Sequence, residues 1–145
     1  IDAKTGTITI FKTPTLRSGP RRGMMDSQDR LWFGENRGDK IGMFDTRTER
    51  FQEWSPPTPG AWPYDVTVDK NGDVWSGGEY NDRILRLDPR TGRFIEYLLP
   101  RATNVRRVFV DNTTTPVTFW VGSNHSASII KLEPLDAPAV TTDRR

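Results

Sequence analysis

Asp45-Thr46-Arg47-Thr48-Glu49-Arg50-Phe51 and Asp88-Pro89-Arg90-Thr91-Gly92-Arg93-Phe94 are two versions of one short segment, 43 residues apart. Another step of 43 towards the N-terminus lands on Asp2-Ala3-Lys4-Thr5-Gly6-Thr7-Ile8. The same offset joins Pro14, Pro57 and Pro100, and it joins Phe11, Trp54 and Tyr97. Asp26 pairs with Asp69, and Trp32 with Trp75. A third copy, Asp111 to Trp120, carries an insertion at Thr113-Thr114-Thr115-Pro116. Self-similarity at a fixed period of a few tens of residues marks a repeat architecture.

Within one period the pattern is short strands and polar turns. Val66 to Asp69 alternates in polarity, and Asp69-Lys70-Asn71-Gly72-Asp73 is a hairpin turn whose Asn-Gly pair supplies positive φ. Val74 to Gly77 is a second strand, and Ile84, Leu85 and Leu87 mark a third. Asp88 to Gly92 is another turn, and Phe94 to Leu99 is a fourth strand closed by Pro100. No stretch sustains a helical period. Four antiparallel strands in about 40–45 residues is a β-propeller blade. Solenoid repeats are the rival, but they are shorter or mix in helices. The fold class is therefore all-β. Strands are predicted near 66–69, 73–77, 83–87 and 93–98, with the same set 43 residues earlier.

Labelling blade strands A (innermost) to D (outermost), the chain holds a lone D strand at 7–11 and complete blades at about 23–57 and 66–100. An A-B-C set follows at about 108–132. The domain spans 1–136, and 137–145 reads as an irregular tail rich in Pro, Ala, Thr, Asp and Arg. A closed propeller can finish its last blade with a strand from the other terminus, so 7–11 would complete 108–132. That makes about three blades, below the usual 4–8. The expectation is a part of a six- or seven-bladed ring, with the other blades supplied by the same polypeptide or by a second copy. The opening on Ile1 rather than Met points the same way. The apolar residues Met24, Met25, Val108 and Phe109 and the free edge at 7–11 predict that such a partner is needed.

Composition narrows the function. Charged residues make up 28% and hydrophobic ones 34%, too apolar and aromatic for a disordered chain. The 21 basic against 19 acidic residues are too balanced to argue for a nucleic-acid partner. With no cysteine, disulfides and thiolate metal sites are excluded. No apolar run reaches the roughly 20 residues of a membrane span, and no secretory signal opens at Ile1.

Leu31-Trp32-Phe33-Gly34-Glu35-Asn36 followed by Lys40-Ile41-Gly42-Met43-Phe44-Asp45 resembles the blade of the streptogramin B (virginiamycin B) lyase-like propellers. So does Asp69-Lys70-Asn71-Gly72-Asp73-Val74-Trp75 with Arg83-Ile84-Leu85-Arg86-Leu87-Asp88-Pro89-Arg90-Thr91-Gly92. The resemblance covers nearly the whole chain up to Asp136. It implies a propeller and a periplasmic or secreted location. For activity it implies a magnesium-dependent carbon–oxygen lyase that opens a cyclic ester by elimination, with glutamate and histidine on the channel face. The family's glutamate slot holds Glu35, Gly78 and Ser123 in the three blades, so Glu35 is the candidate metal ligand and catalytic carboxylate. His125, the one histidine, is the other catalytic candidate. One histidine cannot supply a pair.

In a propeller the D-to-A and B-to-C connections meet around the channel. Here the D-to-A segments contain Arg22, Asp65 and Arg107 in equivalent places. The B-to-C loops run 35–39, 78–82 and 123–127. Arg22 and Arg107 are candidates to bind an anionic ligand, or to pair with Asp65 and other loop acids. Glu35 and Glu79 read as solvated loop carboxylates or as functional ones. Trp62 and Tyr64 break the repeat at a channel-side position, which suits stacking on a ligand. Trp32, Trp75 and Trp120 recur once per blade and read as packing between blades. Two function classes follow: a module binding a small molecule or protein on its channel face, or the metal-dependent lyase-like or lactonase-like enzyme. The residues favour the binder. Arg21, Arg22, Arg106 and Arg107 hint at nucleic acid, but Asp39, Asp65, Glu79 and Asp82 on the same face oppose it.

Overall fold

The computed structural model describes residues 1–135; the tail read at 137–145 and the domain's last residue, 136, lie outside them. Eleven strands form three antiparallel sheets, and no helix occurs among the described residues. Blade 1 is β1 (Pro20–Met25), β2 (Arg30–Glu35), β3 (Lys40–Asp45) and β4 (Arg50–Trp54), paired in that order. Blade 2 is β5 (Val66–Val68), β6 (Val74–Gly77), β7 (Arg83–Asp88) and β8 (Arg93–Leu98). Blade 3 has three strands, β9 (Val105–Asp111), β10 (Thr118–Ser123) and β11 (Ser128–Leu132). The innermost strands start earlier than read, at Pro20 and Val105 rather than 23 and 108.

The recurring Asp and Trp have one cause. Asp26 Oδ1 accepts the amides of Gln28 and Arg30 and so closes the β1–β2 turn, while its Oδ2 accepts the Trp32 indole N–H at 2.8 Å. Asp69 does the same for Asn71, Asp73 and Trp75. Each turn carries its positive φ at one place, Asp29 in blade 1 and Gly72 in blade 2. Trp32 then packs forward on Val66 and Val74 of blade 2, and Trp75 on Val105, Val108 and Phe119 of blade 3. A D-strand aromatic stacks on each: Trp54 on Trp32 at 5.4 Å and Tyr97 on Trp75 at 6.0 Å.

Blade 3 keeps the register. Trp120 lies opposite Lys131 as Trp75 lies opposite Arg86, and a cation sits over each indole. Yet Trp120 is 37% exposed, whereas Trp32 and Trp75 are fully buried. No blade covers that face among the described residues.

The strand read at 7–11 does not form, and blade 3 lacks the fourth strand assigned to it. The turn before it is intact: Gly6 N–H donates to Asp2 O at 2.8 Å, as Glu49 does to Asp45 and Gly92 to Asp88. What is missing is an edge to pair with. Three blades do not bring the N-terminal segment round to the outer edge of blade 3. Phe11 packs on Phe44 of blade 1 instead, with ring centroids 4.7 Å apart.

Candidate ligand-binding site on the channel face

Two kinds of loop build this face. Each D-to-A linker is pinned by the B-to-C loop of the blade before it. Asp39 accepts the amides of Gly60 and Trp62, and Asp82 accepts that of Thr103. These aspartates take a left-handed backbone, φ 53° and 54°, and Ala127 takes it in blade 3. Asp39 and Asp82 are thus spoken for by backbone donors.

Tyr64 stands at the centre. The guanidinium carbons of Arg21, Arg22 and Arg106 lie 5.5, 5.8 and 5.8 Å from its ring centroid. Arg22 N–H donates to Tyr64 O at 3.0 Å, which joins the innermost strand of blade 1 to the segment leading into β5. Cations over an aromatic face are attracted by the ring quadrupole, so one tyrosine gathers three positive charges from blades 1 and 3. Arg106 is paired with Glu79 at 3.2 Å and Arg107 lies 3.9 Å from Asp65. Arg21 and Arg22 have no carboxylate partner among the described residues. The patch has a positive excess.

The structure revises several expected roles. Glu79 is not a solvated carboxylate: it is 4% exposed, accepts from Asn36 Nδ2 at 2.8 Å and meets Arg106 with its other oxygen. It therefore positions Arg106. Asp65 is also buried: its Oδ2 accepts Val108 N–H at 3.2 Å and its backbone oxygen accepts Ser76 Oγ–H, so it ties β5 to β9. Trp62 pairs edge-on with Tyr80, centroids 5.3 Å apart, rather than standing free. Trp62 is 40% and Tyr80 62% exposed, so both remain open to solvent. Arg22 and Arg107, read as D-to-A linker residues, lie within β1 and β9, and Tyr64 lies in the linker before β5. Arg21 and Arg106 belong with them. They stand in the slot of Tyr64 in the neighbouring blades, a signal present in the repeat alignment.

Glu35 is a buried group, again not the solvated loop carboxylate expected. It is fully inaccessible, accepts Ser18 Oγ–H at 2.9 Å through Oε1 and leaves Oε2 without a partner. Burial raises its pKa above the ordinary value, and the neighbouring Glu53 adds to that. Glu53 is held ionised by Lys40 at 2.8 Å and by Thr15, and its pKa is lowered. As pH climbs, the unfolded chain loses the Glu35 proton first, so this group's contribution to stability falls from about the unfolded value upward. Glu35→Gln mimics the protonated acid. It is expected to raise stability at pH 7 by on the order of 1 kcal/mol and to flatten the decline that sets in as pH rises past the ordinary carboxyl value, in chemical unfolding. An unchanged slope would contradict this account.

A magnesium ion needs several hard oxygen ligands. The residues here do not fit it: among the described residues no three His, Asp or Glu side chains converge. Glu35 lies in blade 1 and His125 in the β10–β11 loop of blade 3, with blade 2 between them.

Beside Arg106 and Arg107 is a hollow of about 420 Å³, lined also by Asn104, Gly122, Ser123 and Ile129. It sits on the side of blade 3 that no other blade covers among the described residues. The Cβ of an alanine at Gly34 would meet Pro63 O at 2.5 Å, and at Gly77 it would meet Val105 Cγ1 at 2.1 Å. At Gly122 it would meet nothing within 4 Å.

The architecture is that of a β-propeller, with two four-stranded blades and one of three strands among the described residues. Comparison with solved structures gives the particular resemblance. Virginiamycin B lyase from Staphylococcus aureus matches with a TM-score of 0.73 and 26% identity, over 90% of this chain and 46% of that one. A streptogramin B lyase structure matches at TM-score 0.66 and 20% identity, over 88% of this chain and 44% of that one. The WD40 propeller domain of Doa1 matches at TM-score 0.64 and 18% identity, over 80% and 37%, which bears on the fold alone. No protein-family profile and no curated protein matches the chain. The chain resembles the streptogramin B lyase propellers and spans about half the length of these structures. No helix among the described residues is long and apolar enough to cross a membrane.

Proposed function

We propose that the chain is a ligand-binding propeller module that holds an anionic small molecule on its channel face. The observation that carries this is the clustering of Arg21, Arg22 and Arg106 around Tyr64, with two of the three lacking a carboxylate partner among the described residues. Guanidinium groups offer forked donors to carboxylate or phosphate oxygens. Tyr64 and the exposed Trp62–Tyr80 pair add stacking surface. Glu79, buried and hydrogen-bonded to Asn36, fixes Arg106 rather than competing for the ligand.

Titration calorimetry with citrate as probe tests this. Arg21→Ala and Arg22→Ala are each expected to weaken binding about tenfold, equal to about 1.4 kcal/mol, and added salt is expected to weaken it further. Both side chains are exposed and carry no structural hydrogen bond, so the variants keep the fold. Absence of binding, or binding indifferent to both substitutions, would overturn the reading.

The 26% identity to virginiamycin B lyase favours a second reading, a magnesium-dependent carbon–oxygen lyase. It ranks below the first because Glu35 is sealed off and has no histidine beside it. Magnesium-dependent opening of the virginiamycin B ring, lost in Glu35→Ala, would reverse the ranking.

A further inference from the structure

Trp62 holds a backbone conformation that residues with a side chain avoid. Its φ is 50°, in the left-handed region, where Cβ crowds the neighbouring carbonyl. The linker one repeat earlier has Gly19 at this place, with φ 63°. Glycine takes that conformation without strain, so the backbone alone does not call for a tryptophan. Blade 1 clamps both polar backbone groups of Trp62: its N–H donates to Asp39 Oδ1 at 2.7 Å, and its carbonyl accepts from Asn36 Nδ2 at 2.9 Å. The indole nevertheless stays 40% exposed. Strain held in place by its surroundings gathers at ligand sites.

The neighbour of Trp62 changes with it. In the earlier repeat the stem of Arg37 lies beside Gly19, where a methyl group would meet Arg37 Cγ at 3.3 Å. One period on from Arg37 stands Tyr80, which is edge-on to Trp62. A glycine and an arginine are thus replaced together, at one contact, by two aromatic rings. Tyr80 is 62% exposed, so the pair is not a piece of core. It lies at the junction of blades 1 and 2, each with all four strands.

One side chain ties these rings to the arginines. Asn36 Nδ2 donates to Trp62 O and to Glu79 Oε2, and Glu79 Oε1 holds Arg106 at 3.2 Å. Trp62 and Tyr64 are two residues apart, so their Cα atoms are separated by at most about 7 Å. Arg21, Arg22 and Arg106 surround Tyr64. Glu79 compensates Arg106, which leaves the charges of Arg21 and Arg22 without a carboxylate among the described residues.

We propose that the ligand is an aryl phosphate, with its flat ring on the Trp62–Tyr80 pair and its phosphate between Arg21 and Arg22. This rests on the anion-binding reading above and gives it a substrate class. A phosphate dianion matches two guanidinium charges and offers each a pair of oxygens. A flat ring gains stacking on the exposed indole that a small anion such as phosphate cannot.

Titration calorimetry of the full chain compares 1-naphthyl phosphate with inorganic phosphate. The naphthyl ester is expected to bind about tenfold more tightly. Trp62→Gly is expected to bring the two probes within about twofold of each other. Its backbone fits, because Gly19 takes the same conformation at this place. Tyr80→Ser, at an exposed side chain, is expected to narrow the gap about threefold. Equal affinity for the two probes in the unaltered protein, or a preference for the ester that survives either substitution, overturns this inference alone and leaves anion binding standing. Failure of both probes to bind overturns the anion reading and this inference with it. So does an ester that binds as tightly to Arg21→Ala and Arg22→Ala as to the unaltered protein.

Discussion

Trp75→Ala is expected to lower the unfolding free energy by about 3–5 kcal/mol, measured by urea denaturation. Three losses add. The indole is fully buried and stacked between Tyr97, at 6.0 Å, and Phe119, at 5.1 Å, so truncation opens a cavity between blades 2 and 3. Its N–H is the donor to Asp69 Oδ2 at 2.8 Å, and Asp69 is itself buried, so the variant leaves an acceptor without a partner. Arg86 lies 5.2 Å from the ring and is held by Asp73 at 2.7 Å, so removing the ring takes one wall from a buried ion pair. Domains of this size are stable by roughly 5–15 kcal/mol, so the loss is a large share of the whole. Trp75→Phe keeps the stacking and forfeits the hydrogen bond and part of the volume. It is expected to cost about 1–2 kcal/mol. Equal losses in the two variants would mean that ring packing contributes little and the Asp69 bond nearly everything.

The Asp69–Trp75 bond also shows why so much of the fold was legible. Both residues recur at one offset because a hydrogen bond six residues long closes the turn and orients the indole in each blade. Local devices of this kind leave a period in the sequence. The site is different. Glu79 looks like any loop glutamate, because its partners Asn36 and Arg106 come from the blades on either side. Glu35 looks solvated because Ser18 and Glu53 reach it from other segments. Tyr64 was visible as a break in the repeat, but its meaning depends on the arginines at the same slot in both neighbours. Residues 7–11 carry the repeat's D-strand residues, yet no strand forms there. An edge strand needs a partner, and the local text does not say where that partner is.

Gly34→Ala and Gly77→Ala are expected to be as damaging as the tryptophan truncations, for the opposite reason. At Gly34 a methyl group would lie 2.5 Å from Pro63 O and 2.9 Å from its carbonyl carbon. Those are backbone atoms, in a linker anchored by Asp39 through Gly60 and Trp62. They cannot swing aside, so the blades must part. A loss of about 3 kcal/mol, the upper end of ordinary overpacking, is expected. At Gly77 the clash is with a side chain, Val105 Cγ1 at 2.1 Å and Cβ at 2.6 Å. Val105 is β-branched and fully packed, so it has no other rotamer to take. The two variants therefore part company in a double mutant. Val105→Ala removes Cγ1 and leaves Cβ, so Gly77→Ala combined with Val105→Ala is expected to be more stable than the two single losses added together, by about 1 kcal/mol or more. No truncation at Pro63 relieves Gly34→Ala, because the atoms in the way are main chain. Strict additivity at Gly77 and Val105 would show that the methyl group is accommodated by blade movement, and that the inter-blade seam is softer than its contacts imply.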